Sequence, residues 1–335
     1  MDPFAKVAIG STGVSVTRLG LGGGPLVGGA LASQRYETPR EEGLRIIRRA
    51  FDLGVRYFDT APLYGAGRSE ARYGAVLPSF PRSSFALSSK CGRVLELAAA
   101  ADSSPTEDGV PRLKPVFDLS RDGILQSLEA SLKRLHLDSV DILYLHDPDV
   151  ENLEREAMDS AFPAMVELRE QGVVKAIGCG MNQWQMPARF IRAFQLDIVL
   201  LAGRFTLLDH DAYREFLPLC LERGVKLTIG GPYNSGILAR DLDGPVSFNY
   251  APAPQELIHQ ARQLKQVCDR YGVPLKAAAL QYVLNHPVVA TAIPGARSVA
   301  ELEDNVRMVE TPIPVELWAE MKHEGLIPAD APVGS

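Results

Sequence analysis

"YFDTAPLYGAGRSE" (57–70) begins as an apolar, aromatic strand and closes on an acid, Asp59. Five residues later Tyr64 stands on a loop, followed by Gly65 and Gly67. A strand buried purely for packing has no reason to end on a carboxylate. A strand whose end faces a site does. Short β-rich runs of the same kind recur at 19–23, 55–60, 85–90, 141–146, 173–179, 197–202, 225–230 and 288–293. Segments with helical periodicity lie between them, at 40–53, 120–135, 153–171, 210–223, 255–271 and 298–309. In "LREQGVVKAIG" (168–178) and "LERGVKLTIG" (221–230) a glycine stands where a helix stops and a buried strand begins. Eight alternating units predict an α/β fold, a (β/α)8 TIM barrel; a doubly wound open sheet is the alternative.

"VAIGSTGVSV" (7–16) reads as an N-terminal β-hairpin turning at Gly13 and covering the barrel's bottom. No Pro/Ser-rich linker divides residues 1–335, so a single domain is expected. Two connections, 94–118 and 231–254, are too long for plain turns and are expected as long loops at the C-terminal, catalytic face.

The formal net charge of −6 is spread without a basic stripe, which argues against a nucleic-acid surface. No segment has the apolar length of a signal peptide or a membrane span, so a cytoplasmic protein is expected. Cys91, Cys179, Cys220 and Cys268 lie far apart without a CxxC pair and read as reduced, ordinary thiols. The histidines outside the strand ends have no metal-ligand spacing, so no metal is expected.

In a barrel the carboxyl ends of the strands converge on one rim. Asp59, Lys90 and His146 end the second, third and fourth predicted strands, and Tyr64 follows the second. Free tyrosine titrates near about 10. A buried ammonium beside it favours the phenolate, so Lys90, held by Asp59, would tune Tyr64 for acid–base work while His146 orients a carbonyl or hydroxyl oxygen. Taken singly, each residue has a plainer reading: a buried ion pair, a rim aromatic, a capping histidine. Their shared rim favours the site.

These residues resemble the aldo-keto reductases. "GVRYFDTAPLYGAGRSE" (54–70), Lys90 in "ALSSKCGR", His146 in "DILYLHDPD", "GCGMN" (178–182) and "IPGARSVAELEDN" (293–305) all match family segments, and the similarity runs from about residue 6 to 310. The resemblance implies catalytic Tyr64, Asp59, Lys90 and His146. It also implies a nicotinamide cofactor held on the rim by Gly23, Asp59, Asn182, Gly231, Pro232, Pro294, Gly295, Arg297, Glu301 and Asn305. The Gly-rich run "LGLGGGPLVGG" (19–29) lacks a GxGxxG and reads as the first strand and its loop.

The chain departs from the family in three places. Met181 precedes Asn182 where a serine is usual, Ala202 stands for a glutamine, and Gly230 for an aromatic that stacks on the nicotinamide, with Tyr233 as a stand-in. Glu301 stands where some NADP-dependent members carry arginine, so NAD is favoured over NADP. "AGRFTLLD", "HDPD" and "GCGMNQW" resemble the subgroup that oxidises cyclic hemiacetals to lactones, which includes aldose 1-dehydrogenases and pyridoxal 4-dehydrogenase.

The substrate implied is thus a sugar or aldehyde, touched by Tyr64, His146, Phe117 and Trp184. Arg93, Asp118, Asp147 and Asn234 are polar candidates for its hydroxyls. Alternatives are pyridoxal oxidation, general aldehyde or ketone reduction, and a non-enzymatic nucleotide-sensing subunit, against which the intact quartet weighs. No membrane partner is expected, and a homo-oligomer is compatible with the chain.

Overall fold

The structure is a computed structural model that describes residues 1–27, 37–98, 106–249 and 251–334. Parts of the two long connections (99–105 and 250) and the end of the Gly-rich run (28–29) lie outside the described residues. Strands β1 (Lys6–Ala8) and β2 (Ser15–Thr17) pair antiparallel as the expected hairpin. β3 (Leu21–Gly22), β4 (Tyr57–Asp59) and β5 (Ala86–Cys91) then run parallel. β6 (Arg93–Leu97) and β7 (Leu113–Phe117) form an antiparallel ribbon, so the connection expected as a loop is partly strand. β8 (Ile142–His146), β9 (Ala176–Met181), β10 (Ile198–Ala202) and β11 (Lys226–Gly230) continue the parallel sheet. β12 (Ser247–Phe248) and β13 (Ala251–Pro252) make a short ribbon in the other long connection, and β14 (Val289–Ile293) pairs with β11.

The sheet order is β14-β11-β10-β9-β8-β5-β4-β3, and parallel bridges Leu19–Ala292 and Gly22–Gly295 join its two ends. The result is the eight-stranded barrel read from the alternation.

Because side chains alternate along a strand, the barrel interior is built in layers. At the bottom Ala86, Ile142, Ala176 and Ile198 pack with Ile9, Val14 and Val16 of the hairpin, which closes that end. Residues two positions further along β4, β5 and β8 fall in the next layers. Helices cover the outside, where Ile46, Ile47, Ile124, Phe162, Phe190, Leu264 and Leu280 join the larger apolar core.

Helices Arg40–Leu53, Arg121–Leu135, Gln255–Arg270 and Val299–Glu310 lie where periodicity put them. The segment 153–171 instead divides into Glu154–Glu156, a π-helical turn Ala157–Ala161 and Phe162–Glu170. Pro163, which cannot donate to the preceding turn, follows the widened stretch. The helix expected from 210 begins only at Phe216. Thr206 Oγ1 and Asp209 Oδ1 accept the backbone N–H groups of Leu208, Asp209 and Asp211, and so hold a turn there.

Helix Arg68–Val76 buries only Tyr73 and Val76 as large apolar side chains, beside the polar Ser69, Glu70 and Arg72, so it carries a weak apolar stripe. Glu70 accepts from Ser89 Oγ and Arg134 Nε, both at 2.7 Å, and Arg72 Nε pairs with Asp108 at 2.7 Å. The first of these contacts ties this helix, which follows the Tyr64 loop, to β5.

Candidate active site

Parallel pairing sets Asp59 opposite Ser88, Lys90 opposite Tyr144 and His146 opposite Gly180, which brings the strand ends to one rim. Lys90 Nζ donates to both carboxylate oxygens of Asp59, at 2.9 and 2.8 Å, and to the Thr60 carbonyl at 2.8 Å. Lys90 and Asp59 are both 1% exposed. A buried charge pair of this kind persists when its geometry and its further hydrogen bonds are good, and loss of one partner costs about 3–5 kcal/mol. The ammonium lies 4.8 Å from the centre of the half-buried Tyr64 ring. The His146 ring stands edge-on to the same ring, with centroids 5.7 Å apart at 90°. Asp59, Tyr64, Lys90 and His146 are therefore clustered, as expected.

A layer of hydroxyls lies directly beneath. Ser88 Oγ is 2.7 Å from Asp59 Oδ1, Tyr57 OH is 3.0 Å from Ser88 Oγ and 3.1 Å from Tyr144 OH, and Tyr144 OH is 3.1 Å from Thr228 Oγ1. Each hydroxyl owns a single proton. If Ser88 donates to the carboxylate, Tyr57 donates to Ser88, Tyr144 to Tyr57 and Thr228 to Tyr144. The chain therefore runs one way, across four strands, into Asp59. Tyr57, Ser88 and Tyr144 each precede a rim residue by two, a spacing that puts them on the same strand face. The sequence held that signal, although the reading above did not use it.

His146 is buried, and its imidazole is held well below its usual titration range by burial first, then by the Lys90 and Arg93 charges. It is thus neutral at ordinary pH, with one N–H to donate. Nδ1 has no hydrogen-bond partner among the described residues. Nε2 lies 3.5 Å from Asp147 Oδ2, too long for a committed hydrogen bond. Asp147 takes a left-handed backbone conformation, φ +46°, which is uncommon for a non-glycine residue and turns its carboxyl toward the His146 ring. Burial first, and then Asp149, push that carboxyl up to about 7.

Among residues expected to hold a cofactor, Asn182 is exposed at the end of β9, with its carbonyl bound by Arg204 Nε at 2.8 Å and its amide 3.5 Å from Asp147 Oδ1. Gly231 is exposed with φ +55°, and a Cβ there would meet only one atom, at 3.9 Å, so its backbone lies open to a ligand. Gly23 donates its N–H to the Asp59 carbonyl at 2.8 Å, and a Cβ would collide with Ser69 Oγ at 2.6 Å. Its glycine is explained by packing under the rim. Gly295 closes the barrel against Gly22 and Pro25, and Pro232 and Pro294 are buried.

Ser298 caps helix Val299–Glu310 by accepting from Glu301 N at 3.1 Å. Glu301 Oε1 binds Arg297 Nη2 and Oε2 accepts the Arg297 backbone N–H, both at 2.9 Å. The Glu301 charge is thus partly offset by its neighbour. Asn305 is buried and accepts from Tyr233 OH at 2.8 Å, so Tyr233 ties the seventh connection to this helix. An exposed amide, an open glycine backbone and a capped helix N-terminus on one face fit a dinucleotide.

The substrate candidates separate. Phe117 carries the Arg93 guanidinium on its face at 3.9 Å. Trp184 donates to Asp211 Oδ2 at 2.9 Å and its ring lies 6.2 Å from that of Phe216; neither contact joins it to the quartet. Asn234 is buried between Thr206 and the Gly203 carbonyl, and Asp118 accepts from Ser120 N and Oγ ahead of helix Arg121–Leu135, so both have structural roles. The thiol of Cys91, 3.6 Å from the Tyr144 carbonyl, is pushed up by burial and is unreactive. No helix among the described residues is long and apolar enough to cross a membrane.

The aldo/keto reductase family model matches residues 18–323. The chain is 39% identical to a pyridoxal 4-dehydrogenase of Microbacterium luteolum, over 96% of this chain and 98% of that one. It is 38% identical to a D-threo-aldose 1-dehydrogenase of a Pseudomonas species, over 86% and 89%. An aldo-keto reductase of Bacillus halodurans, solved in its holo form, superposes with a TM-score of 0.75 at 26% identity over 98% of each chain. On its barrel and on these similarities, the chain belongs to the aldo/keto reductase family.

Proposed function

We propose that this oxidoreductase, a single domain over residues 1–335, oxidises the anomeric carbon of a sugar hemiacetal to the lactone, with Tyr64 as general base. The observation that carries the reading is the Lys90 ammonium, clamped by Asp59 and the Thr60 carbonyl and facing the Tyr64 ring at 4.8 Å. A fixed positive charge at that range favours phenolate over phenol. Tyr64 then takes the proton of the anomeric hydroxyl, and neutral His146 donates to the same oxygen and holds it in place. A bound nicotinamide dinucleotide supplies the hydride acceptor, so the anomeric C–H pair leaves carbon as the C=O forms. Asn182, Gly231, Pro232, Pro294, Gly295, Arg297, Glu301 and Asn305, with Gly23 and Asp59, are the residues that would hold the dinucleotide.

NAD is the favoured cofactor over NADP, because Glu301 adds a negative charge beside Arg297 where a 2′-phosphate would lie. Pyridoxal is the second reading, favoured by the 39% identical relative of that name. Initial rates with NAD+ and L-fucose, L-galactose, D-arabinose, pyridoxal and simple alcohols separate the two. A sugar preferred by at least about tenfold in kcat/KM supports the first reading. Preference for pyridoxal, or silence across the panel despite cofactor binding, overturns it.

A further inference from the structure

Three buried polar atoms at the rim have no partner among the described residues: Arg93 Nε, His146 Nδ1 and Asp149 Oδ1. They belong to neighbouring elements. Arg93 begins β6, two residues after β5 ends, and His146, Asp147 and Asp149 run from the end of β8 into the adjoining turn. Arg93 is stacked on Phe117 and lies near enough to Asp147, Asp149 and Glu151 to feel their charges. Among the described residues it makes no hydrogen bond or ion pair through its guanidinium. Asp149 takes a hydrogen bond from the Gln183 side chain but leaves Oδ1 unused. A buried donor or acceptor left unmade costs about 1–3 kcal/mol. Three in one place, beside a histidine that positions substrate, call for a polar ligand.

We propose that Asp147, supported by Arg93 and Asp149, forms a subsite that recognises a hydroxyl on the carbon next to the reacting one. The proposal deepens the reading above and takes from it the placement of the reacting oxygen at His146. His146 Nε2 and Asp147 Oδ2 lie 3.5 Å apart, near enough for one to bind the reacting oxygen while the other binds a hydroxyl on the adjacent carbon. The imidazole N–H binds the reacting oxygen while the carboxylate accepts from the neighbouring hydroxyl.

The left-handed backbone at Asp147 is what turns the carboxyl there, and such strain in a non-glycine residue persists where the surroundings hold it. Lys90, Arg93, His146, Asn182 and Asp149 are the charged and polar groups facing Asp147. Arg93 supplies donors to a second substrate oxygen and balances the two acids. A site built to bind a hydroxyl discriminates against the analogue that lacks it, because its own polar groups are then left unpaired.

The test uses two pairs of compounds that differ only in that hydroxyl: oxidation of D-arabinose against 2-deoxy-D-ribose with NAD+, and reduction of lactaldehyde against propanal with NADH. The wild-type holoenzyme is expected to prefer the hydroxylated member by at least about tenfold in kcat/KM. Asp147→Ala should bring that ratio within about threefold of one, by lowering kcat/KM for the hydroxylated compound and leaving the deoxy compound nearly unchanged. Asp147→Asn, which keeps an acceptor, should retain part of the preference. Arg93→Met provides a second variant, expected to raise KM for D-arabinose more than for 2-deoxy-D-ribose. A ratio unchanged in Asp147→Ala, or equal losses on both members of a pair, overturns the subsite. If lactaldehyde is discriminated through Asp147 while no sugar is oxidised, the subsite stands and the sugar reading falls. If D-arabinose is oxidised without regard to Asp147, the reverse holds. A wild type that turns over neither pair overturns both.

Discussion

Replacing Asp147 by asparagine should change how the stability of the protein depends on pH. The folded carboxyl is pushed up to about 7, by burial first and by Asp149 second, whereas an unfolded aspartate titrates near about 3.9. Folding therefore favours the protonated form. The penalty for ionising Asp147 is absent below the unfolded value, grows through the interval and is complete above the folded one. Each pH unit within it is worth about 1.4 kcal/mol, so the whole titration costs the native state about 4 kcal/mol. Between about pH 5.5 and pH 8 the portion crossed is about 1.5 units, or about 2 kcal/mol.

Asparagine cannot ionise, so the stability of Asp147→Asn relative to wild type should rise by about that amount over the interval. His146 titrates in the opposite sense. Its depressed folded value adds stability that is present above the ordinary histidine range and lost as pH falls. It is present in both proteins and so drops out of the difference. Urea unfolding of the two proteins at a series of pH values gives the difference directly. Parallel curves would refute the reasoning, because they would mean that the carboxyl is already hydrated or ionised in the folded state.

Two further predictions concern the groups around the rim. Ser88→Ala removes the one-way chain's last donor to Asp59. The carboxylate then offsets more of the Lys90 charge at Tyr64, so the pH at which sugar oxidation switches on should move up by roughly half a unit. Tyr144→Phe should move it the same way and less, and an unmoved profile in both would assign the hydroxyl layer to packing alone. Glu301→Arg should raise kcat/KM for NADP relative to NAD by at least about tenfold, measured with one sugar at fixed pH, since it removes the carboxylate paired with Arg297 and adds a second cation. An unchanged ratio would place cofactor selection elsewhere.

The quartet was legible because each member stands at a strand end, a position that the alternation of strands and helices fixes without reference to any contact. The hydroxyl layer beneath it was encoded equally plainly, two residues before Asp59, Lys90 and His146. What the sequence did not carry was the partner of each hydroxyl, which depends on the stagger of β4, β5, β8 and β11 around the barrel. Arg93 and Asp149 were less legible still. Their meeting depends on the β6–β7 ribbon and on the left-handed turn at Asp147, neither of which has a periodic signature. Helix Arg68–Val76 escaped for a related reason: much of its buried face, Ser69, Glu70 and Arg72, is held by ion pairs and hydrogen bonds, which hydrophobic spacing does not register. For Trp184 the sequence offered both packing and binding, and the contacts it makes to Asp211 and Phe216 depend on tertiary placement that no spacing encodes.

The central claim is that a phenol charged by a neighbouring ammonium moves the proton. Single-turnover oxidation of D-arabinose by the Tyr64→Phe holoenzyme, with NAD+ affinity measured alongside, tests it most directly. The account predicts a rate at least about a hundredfold below wild type with NAD+ affinity within about twofold. A variant that retains most of its rate would contradict it.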